Sequence, residues 1–519
     1  MLFEHLHYQE YFLFRSMAST PPSAIAPPCD GDKRSRLADL LRSRLQHPNQ
    51  FPLSFAQQRL WFLDRLQPGN PAYTMMAVVR LRGELNAAAL ERGFQDLVQR
   101  HEALRTRFVL ESGQPRQQVQ PTGRVPLTRL DWSDLSPEEQ TTAIQTEALD
   151  LAQQPFDLAR DDLVRSRLIQ LEAETHVLLL ALHHIVSDGW SMEVLIRELA
   201  ILYDAHQRGQ TPALPPLPIQ YADFAVWQRQ FLQGEILEQQ LHYWRSRLSP
   251  VTAPSLPTDF PRPAVRSHQG HRHSLGISPD LTAQLQELSQ QANATLFMTT
   301  LAAFQVLLYA YAQQPIIRVG TPIANRDRPE VAHLIGFFTN TLVLCADLSS
   351  NPSFRQWQQQ VRDEAVNAYA HQDLPFEKLV EELQPQRSLG QTPLYQAWFY
   401  LQDDPVATVG FPGLALEPVE IDLGTAKHDL KLGLWKSSQG LQGALEYSTD
   451  LFESATVERL ARHYEALLVE IVRDPDQSIK ALMQHLRQRD QQMLNQQQTL
   501  LSSQRQKLRG IRRQTFTSP

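Results

Sequence analysis

Two adjacent histidines and a nearby aspartate, in the segment ALHHIVSDGWS, are the side chains of this sequence best suited to move a proton. His183 and His184 follow the apolar run VLLLAL, and Asp188 and Gly189 begin four residues after the second histidine. An imidazole can take a proton from an attacking amine or alcohol and return it to a leaving group. A buried carboxylate needs a cationic partner, and could orient the loop instead of reacting. The segment therefore predicts either a proton-transfer site or a structural plug.

The predicted position of the histidines at the end of a strand separates their roles. Residues 175–184, THVLLLALHH, are continuously apolar before the histidines, which is typical of a strand buried on both faces. Neighbouring side chains of a strand point to opposite faces, so only one of His183 and His184 can face a given cavity. Gly189 is expected to permit a tight backbone in the turn that follows.

Several other catalytic patterns are absent from the sequence. It contains no Gly-Lys pair, which excludes a P-loop, and no Gly-x-Ser-x-Gly elbow, which argues against a serine hydrolase. The segment HEALR, which begins at His101, has Arg105 where a zinc protease needs its second histidine. Cys29 and Cys345 form no metal or disulfide pattern, so no metal site is predicted.

The composition of the chain excludes some classes of partner. Charged residues make up 20% and hydrophobic residues 42% of the 519 positions, as in an ordinary globular protein. The net charge of −7 provides no global basic field for nucleic acid. No stretch approaches the ~20 uncharged apolar residues that span a membrane, and the N-terminus lacks the pattern of a signal peptide. We therefore expect a cytoplasmic protein without a nucleic-acid or membrane partner.

Alternating helix and strand patterns predict a mixed α/β fold in two lobes. The first lobe is predicted to cover residues 51–230 and the second residues 231–480, and each has a size typical of a domain. Residues 1–50 are predicted to be a flexible leader with a candidate docking helix, and residues 481–519 a basic, Gln-rich tail or linker. One helix of the first lobe is predicted over residues 86–108.

Seven segments in a fixed order make the chain resemble the condensation domains of nonribosomal peptide synthetases. HHIVSDGWS resembles the HHxxxDG motif of that family. The other six segments, in chain order, are LSFAQQRLWFLDRL (53–66), RHEALRTRF (100–108), YADFAVWQ (221–228), IGFFTNTLVL (335–344), HQDLPFEKLVEEL (371–383) and TPLYQAWFYLQ (392–402).

This resemblance implies both a fold and a reaction. The fold would be two lobes similar to chloramphenicol acetyltransferase, arranged as a V-shaped pseudo-dimer with a central tunnel. In the reaction, the amine of an aminoacyl group on one carrier protein would attack an acyl or peptidyl thioester on another, which gives an amide on the acceptor carrier. No metal or bound cofactor is implied, because both substrates are carried on phosphopantetheine arms of partner proteins.

The resemblance also implies roles for individual residues. His184, the second histidine of the motif, would position or deprotonate the acceptor amine, and His183 would be mainly structural. Asp188 would hold the loop through an arginine, for which Arg326 is the first candidate and Arg105 the second.

The central tunnel has implied lining residues as well. Gly189 would border it where a close approach needs a small residue, and Trp190, Ser191 and Asn340 would line it.

The branch of the family is narrowed by the residues that this chain keeps. Epimerising relatives tend to lack the glycine of HHxxxDG and cyclising relatives replace both histidines, whereas both features are present here. The motif segments look most like the branch that joins two L-configured residues, or the starter branch that adds a fatty acyl group. His428 in AKHDL and Phe260 in LPTDFPRP replace a usual Phe and Arg, and we expect both to lie away from the chemistry.

Two other functions stay open. One is an acyltransferase of the same superfamily that uses a soluble thioester such as coenzyme A, or that forms an ester. The other is a docking domain whose tunnel is a relic, against which the intact motif argues. The sequence contains no adenylation module and no carrier serine in a credible motif.

We therefore expect a monomer that receives donor and acceptor peptidyl carrier proteins in trans and contacts other parts of a synthetase. The basic segments at residues 33–44 and 505–514 are the expected docking sites for acidic partners.

Overall fold

The computed structural model describes residues 49–249, 256–312, 314–385, 390–402 and 410–491. The predicted leader with its candidate docking helix, and most of the predicted tail, lie outside these residues, as do both basic segments. In the described part of the chain, strands and helices alternate as the sequence predicts. The strands are β1 (Gln50–Pro52), β2 (Thr74–Arg82), β3 (Thr106–Glu111), β4 (Gln114–Val119), β5 (Leu127–Asp131), β6 (Val164–Glu172), β7 (Thr175–His183), β8 (Gly270–Ile277), β9 (Ile316–Ile323), β10 (Asn340–Asp347), β11 (Ala397–Gln402), β12 (Ala415–Pro418), β13 (Leu430–Ser437) and β14 (Gly440–Ser448).

The helices are mostly amphipathic and cover these strands. They are α1 (Phe55–Leu66), α2 (Ala87–Arg100), α3 (Pro137–Gln153), α4 (Gly189–Gln207), α5 (Tyr221–Phe231), α6 (Gly234–Leu248), α7 (Pro279–Gln291), α8 (Leu296–Ala312), α9 (Phe354–Ala370), α10 (Phe376–Leu383) and α11 (Ser454–Arg473). A further helical stretch covers residues 479–491, where the described part of the chain ends.

Two large sheets organise the molecule. The first sheet has the order β12-β2-β7-β6-β5, and the second has the order β10-β9-β11-β13-β14-β8. Both belong to one compact unit, which begins at Phe51. Strand β12 follows the second-sheet strand β11 in sequence but pairs antiparallel with β2, with Leu416 opposite Leu81. The first sheet therefore includes a strand from the predicted second lobe, while the predicted boundary near residue 230 stays a prediction.

Strand β7 is the central strand that leads to the candidate site. Every residue from its second position onward is buried. Leu178 and Leu180 belong to a cluster with residues of α2 and α4 on one face. Val177 and Leu179 belong to a cluster with residues of α3 on the other. Because helices cover both faces, the continuous apolar run is required, and the predicted burial on both faces is confirmed.

The helix predicted over residues 86–108 is shorter in the structure. It begins after Asn86, whose Oδ1 accepts a hydrogen bond from Ala89 N at 3.0 Å, and it ends at Arg100. Residues beyond the helix form strand β3, which pairs antiparallel with β4. Ser112 and Gly113 between these strands both have positive φ, as a tight two-residue hairpin turn requires. The apolar spacing alone did not show where this change from helix to strand occurs.

The second sheet packs against helix α8, which supplies the centre of the larger core. Residues Leu296–Leu308 of this helix are mostly buried, and they cluster with residues of α9 and α11. No single helix in the described ranges is long and apolar enough to cross a membrane. Helices α7 and α8, which meet at a bend of 102°, meet the length and composition test only when taken together.

Candidate active site

The end of strand β7 differs from the sequence prediction in one respect that matters for the histidines. The strand ends at His183, and His184 begins a single 3-10 turn, His184–Val186. The Nδ1 atom of His183 accepts a hydrogen bond from the backbone N–H of Ile185 at 3.1 Å, which helps to hold this turn. The two imidazoles are therefore separated by the turn and not by the alternation of a strand.

His183 has the surroundings of a structural residue. Its side chain is buried, and its ring meets the ring of Phe156 edge-on at a centroid distance of 5.9 Å. Burial, followed by the charges of His184 and Lys427, lowers the pKa of His183 to about 3. The imidazole is therefore neutral near pH 7, and its Nδ1 is already used by the turn.

His184 presents one free ring nitrogen. Its Nδ1 lies 2.8 Å from the carbonyl oxygen of Ser187, and because a carbonyl can only accept, Nδ1 carries the proton. The lone pair is therefore on Nε2. The ring packs against Phe337 at a centroid distance of 4.7 Å. Burial, and next the charge of Lys427, lowers the pKa of His184 to about 4, so this half-buried imidazole is a neutral base near pH 7.

Asp188 fixes the loop that follows the histidines. It is the N-cap of α4, and its Oδ1 accepts hydrogen bonds from Ser191 N at 2.8 Å and from Arg326 Nη2 at 3.1 Å. Its Oδ2 accepts from the backbone N–H groups of Phe338 at 2.9 Å and Thr339 at 3.2 Å. The side chains of Asp188 and Arg326 are both 0% exposed. Such a fully bonded carboxylate holds its loop in a single geometry.

Arg326 connects this loop to a distant part of the chain. Its Nη1 donates to the carbonyl oxygens of Val331 and Leu334, at 2.7 Å each. Its guanidinium lies 4.1 Å from the centre of the Phe338 ring. The structure thus brings Arg326, the first candidate partner of Asp188, into direct contact with it.

Arg105, the second candidate partner of Asp188, lies elsewhere. Its Nη1 donates to the carbonyl oxygen of Gln120 at 2.6 Å, and its Nη2 lies 3.7 Å from Glu102. It therefore holds the segment after α2 and does not contact Asp188, which corrects its assignment as an alternative partner. Sequence alone could not choose between the two arginines, because both contacts depend on packing.

Ser191 belongs to the Asp188 network. Its hydroxyl accepts from Arg326 Nη2 at 2.8 Å and from the backbone N–H of Gly336 at 3.0 Å. It lies 2.7 Å from Asp188 Oδ1 and 2.8 Å from the Gly336 carbonyl, and it donates its one proton to either oxygen. Ser191 is fully buried. These contacts are those of a residue that supports the site from within, whereas the resemblance implied a tunnel-lining residue.

Trp190 and Asn340, the other two residues implied to line the tunnel, also bond to backbone groups. Trp190 Nε1 donates to the carbonyl oxygen of Ala332 at 2.9 Å. Asn340 Nδ2 donates to the Leu374 carbonyl at 2.8 Å, and its Oδ1 accepts from Phe376 N at 3.0 Å. The amide of Asn340 thereby fixes the start of α10. A role of these two residues in the tunnel stays a prediction.

Gly189 leaves open space beside the loop. Its φ lies outside the left-handed region, so the turn itself does not need glycine, in contrast to the expectation of a tight backbone. A Cβ atom added at Gly189 would meet no atom within 4 Å. The residue is exposed. A side chain here would therefore project away from the protein's own atoms, next to the motif histidines in sequence.

Tyr221 and Gly336 form a tight contact that the sequence analysis did not identify. Tyr221 OH donates to the carbonyl oxygen of Phe337 at 2.6 Å and contacts Ser54 Oγ at 2.9 Å. A Cβ atom at Gly336 would lie 1.9 Å from Cδ2 of Tyr221. The segments YADF and IGFF were noted only for their resemblance to the family, and their mutual packing became visible only in the fold.

Lys427 is a second feature that the sequence analysis missed. Its Nζ lies 5.7 Å from the centre of the Tyr73 ring, and its charge lowers the pKa of both motif histidines. The next residue, His428, stacks on Trp398 at a centroid distance of 4.4 Å. The expectation that this segment is remote from the chemistry was therefore wrong for the neighbourhood of His428, because the tertiary fold brings residue 427 close to the histidines.

Phe260, the other residue expected to be remote, is 41% exposed.

Within the described ranges, no group of three or more His, Cys, Asp or Glu side chains is arranged to hold a metal ion. The chemistry available at the site is therefore that of side chains. A neutral imidazole with a free Nε2 atom stands on a loop that Asp188 fixes, with open space beside Gly189. This arrangement can position a nucleophile and accept its proton.

Comparison with known proteins gives a consistent result. The family model described as the Condensation domain matches residues 48–494. A linear gramicidin synthase of Brevibacillus parabrevis is 48% identical over 438 residues, which are 83% of this chain and 6% of that protein. Malpinin synthetase of Mortierella alpina is 43% identical over 83% of this chain and 6% of its own length. The chain thus spans only a small part of these relatives.

Solved structures share the fold. The X-domain from teicoplanin biosynthesis has a TM-score of 0.75 and 30% identity, and the match covers 83% of this chain and 96% of that one. The first condensation domain of the calcium-dependent antibiotic synthetase has a TM-score of 0.71 at 21% identity, over 83% and 98% of the two chains. The two-lobe fold similar to chloramphenicol acetyltransferase is therefore confirmed. The V-shaped arrangement and the tunnel stay predictions.

Proposed function

This chain belongs to the condensation domain family of nonribosomal peptide synthetases, and from that premise we propose that it forms an amide bond between two carrier-bound substrates. The donor is an acyl or peptidyl thioester, and the acceptor is the amine of a carrier-bound aminoacyl group. The observation that carries the proposal is the state of His184, which is neutral and has its lone pair on Nε2.

The proposed reaction balances without a cofactor. The acceptor nitrogen attacks the thioester carbonyl carbon, so that a C–N bond forms, and the amine proton passes to Nε2 of His184. The C–S bond then breaks, and the donor thiolate leaves with that proton. The amide product remains on the acceptor carrier. General base assistance of this kind contributes about 10²–10⁴-fold in rate.

The other motif residues have supporting roles in this proposal. Asp188 and Arg326 hold the loop, so that His184 keeps one orientation toward the amine. His183 supports the turn at the end of β7 through its contact with Ile185. Gly189 leaves the space through which the acyl group or amine approaches.

The partners are proposed from the size of the chain relative to its relatives. Because the chain matches only 6% of the linear gramicidin synthase, the rest of such a synthetase is the proposed source of both carriers. We propose peptidyl carrier proteins with phosphopantetheine arms as donor and acceptor, and a monomeric condensation unit. Donor classes of two kinds are compatible with the motifs, namely a peptidyl or aminoacyl group with an L-configured end, and a fatty acyl group.

The direct test is a reaction between two loaded carriers. Donor carriers bearing N-acylated L-amino acids or fatty acyl chains are mixed with acceptor carriers bearing a panel of the twenty L-aminoacyl groups, and the acceptor is analysed by mass spectrometry. We expect an amide product on the acceptor that requires His184. Product formed equally well from acyl-coenzyme A would favour the soluble-thioester acyltransferase. Absence of product with every pair would contradict an enzymatic role.

Docking of the carriers by the terminal basic segments remains part of the proposal. The segments at residues 33–44 and 505–514 carry the positive charge that acidic carriers would meet. We expect deletion of residues 1–48 or 492–519 to raise the apparent KM for carriers, and added salt to do the same. The second deletion spares residue Leu486, which is buried in the larger core.

The reaction of a small soluble thioester donor is the control for these deletions, and it should be unchanged. Equal KM values for both carriers in the truncated and full-length proteins would overturn the docking proposal alone.

A further inference from the structure

Lys427 lies on the segment that connects the two large sheets. It follows strand β12, which belongs to the first sheet, and precedes strand β13, which belongs to the second. The path of the backbone is held from the side by Arg266, whose Nη1 donates to the Lys427 carbonyl oxygen. The segment is therefore anchored, and the position of its lysine is set by the pairing of both sheets.

The neighbours of the Lys427 ammonium connect it to the histidines. Its Nζ lies 5.7 Å from the centre of the Tyr73 ring. Tyr73 and Phe337 pack against the same apolar cluster, which includes Ile185 of the turn after β7. Phe337 is also the ring that contacts His184. Residue Thr74, next to Tyr73, is paired with His183 across the first sheet. The lysine thus stands beside the same group of residues that surrounds His184.

The ammonium of Lys427 lacks the partner that its neighbours have. Lys431 Nζ is paired with Glu446 at 2.7 Å. Arg262 and Arg266 share Asp429. For Lys427 Nζ, the described part of the chain provides neither a hydrogen bond nor an ion pair. A half-buried cation without a counter-charge is unfavourable, so a structural role does not explain it.

We propose that Lys427 is a positioning residue of the reaction centre, whose unpaired ammonium keeps the imidazole of His184 neutral and free to accept the amine proton. The inference rests on the proposed amide-forming function and adds to it a residue outside the HHxxxDG motif. It acts through His184 and need not touch the substrate.

Other charges around the pair are weaker or are compensated. For His184, burial and then Lys427 lower the pKa, whereas the Ser187 carbonyl and then Asp188 raise it. The charge of Asp188 is opposed by its ion pair with Arg326. For Lys427 itself, burial, Lys431 and Arg59 lower the pKa, and Glu446 raises it, with a result of about 8. Lys427 is thus the main cationic influence on the base.

The sign of the expected effect follows from these charges. Removal of the cation raises the pKa of His184 from about 4 toward its ordinary value of 6.5. A protonated imidazole has no lone pair on Nε2 and cannot take the amine proton. The variant therefore loses activity on the acid side at a higher pH than the wild-type protein does.

The experiment compares kcat of K427M and of the wild-type protein between pH 5 and pH 7, with both carriers saturating. Donor and acceptor carriers are those of the pair with the highest wild-type rate in the carrier panel. The ratio of the two rates is used, because ionisation of the acceptor amine affects both proteins equally. We expect this ratio to fall at least about threefold from pH 7 to pH 5. K427R should restore a ratio that does not depend on pH.

Two further variants keep the test decisive. K480M, which removes an exposed lysine from the helical stretch at residues 479–491, should show a constant ratio. K427Q replaces K427M if the methionine variant does not fold, as judged by its thermal melt.

A ratio independent of pH in both Lys427 variants would overturn the inference. So would an effect confined to KM for aminoacyl groups with acidic side chains, since Lys427 would then bind substrate instead of acting through His184. Failure of the proposed function has a different signature, because the wild-type protein itself would give no amide with any carrier pair.

Discussion

The loop at residues 184–191 has two sides that differ in how completely their polar groups are bonded. On one side is the Asp188 junction, which consists of Asp188, Ser191, Arg326 and residues 336–339, where the carboxylate, the hydroxyl and several backbone groups bond to one another in a buried region. On the open side are His184, Gly189 and Lys427, which are half-buried or exposed and keep a free lone pair, an empty space and an unpaired cation.

This difference suggests a division of labour within a few residues of chain. Completely bonded polar groups in a low-dielectric region stabilise one geometry and are costly to disturb. Groups that are left without partners add nothing to stability, but they are available to a substrate. Variants on the two sides should therefore separate activity from stability.

The largest effect on activity is expected from His184→Ala on the open side. The rate of amide formation should fall by about 10²–10⁴-fold, because the base that accepts the amine proton is lost. The melting temperature should change little, since only the Nδ1 bond to Ser187 and the contact with Phe337 are removed. Mass spectrometry of the acceptor carrier gives the rate, and a thermal melt gives the stability.

His183→Ala is the matched variant next in sequence. It removes the buried acceptor of the Ile185 N–H, which should cost about 1–3 kcal/mol of stability and lower the soluble yield. Normal turnover by a folded His184→Ala protein would reverse the roles assigned to the two histidines.

The largest effect on stability is expected from Asp188→Ala in the Asp188 junction. Loss of one partner from a buried ion pair typically costs ~3–5 kcal/mol, because the remaining charge of Arg326 is left uncompensated. Urea unfolding and the melting temperature should both show this loss, and activity should fall with it.

Asp422→Ala is the control for a surface ion pair. Asp422 lies 3.4 Å from His271 with both side chains exposed, so its removal should change stability by no more than about 0.5 kcal/mol. If both aspartate variants melted at the same temperature, the junction would not be the stabilising feature that its geometry indicates.

The smallest effect on stability is expected from Gly189→Ala, and its comparison with Gly336→Ala is the sharpest. At Gly189 a Cβ atom meets nothing within 4 Å, and alanine suits a helix better than glycine, so stability should change by less than about 1 kcal/mol. At Gly336 a Cβ atom would lie 1.9 Å from Tyr221, so the fold must shift, at a cost of about 1–3 kcal/mol or more.

Despite its small effect on stability, Gly189→Ala should lower kcat/KM, because the added methyl group occupies the space left for substrate. An active, stable Gly189→Ala protein would show that the substrate does not pass this residue.

Much of the candidate site was predictable because its contacts are local. The N-cap bond from Ser191 N to Asp188 spans three residues, and so does the bond from His184 to the Ser187 carbonyl. The spacing HHxxxDGxS is thus sufficient to form the turn, its proton arrangement and the start of α4. The burial of β7 on both faces was predictable from its apolar run, since a strand beneath two layers of helices needs apolar residues at every position.

The change from helix to strand after Arg100 was not predictable in this way. The apolar spacing of residues 86–108 is compatible with one long helix, but the hairpin at Ser112 and Gly113 pairs β3 with β4 and ends the helix early. Sheet pairing supplied the deciding hydrogen bonds, and a local pattern does not contain them.

The sequence by itself determined which residues could do the chemistry and the local geometry of their loop. Only the tertiary structure decided which arginine pairs with Asp188, because Arg326 is 138 positions away and Arg105 lies in another part of the same unit. It also decided that strand β12 crosses to the first sheet and that Lys427 reaches the histidines. Local hydrogen bonds follow from residue spacing, whereas contacts between distant segments follow from the packing of whole sheets and helices.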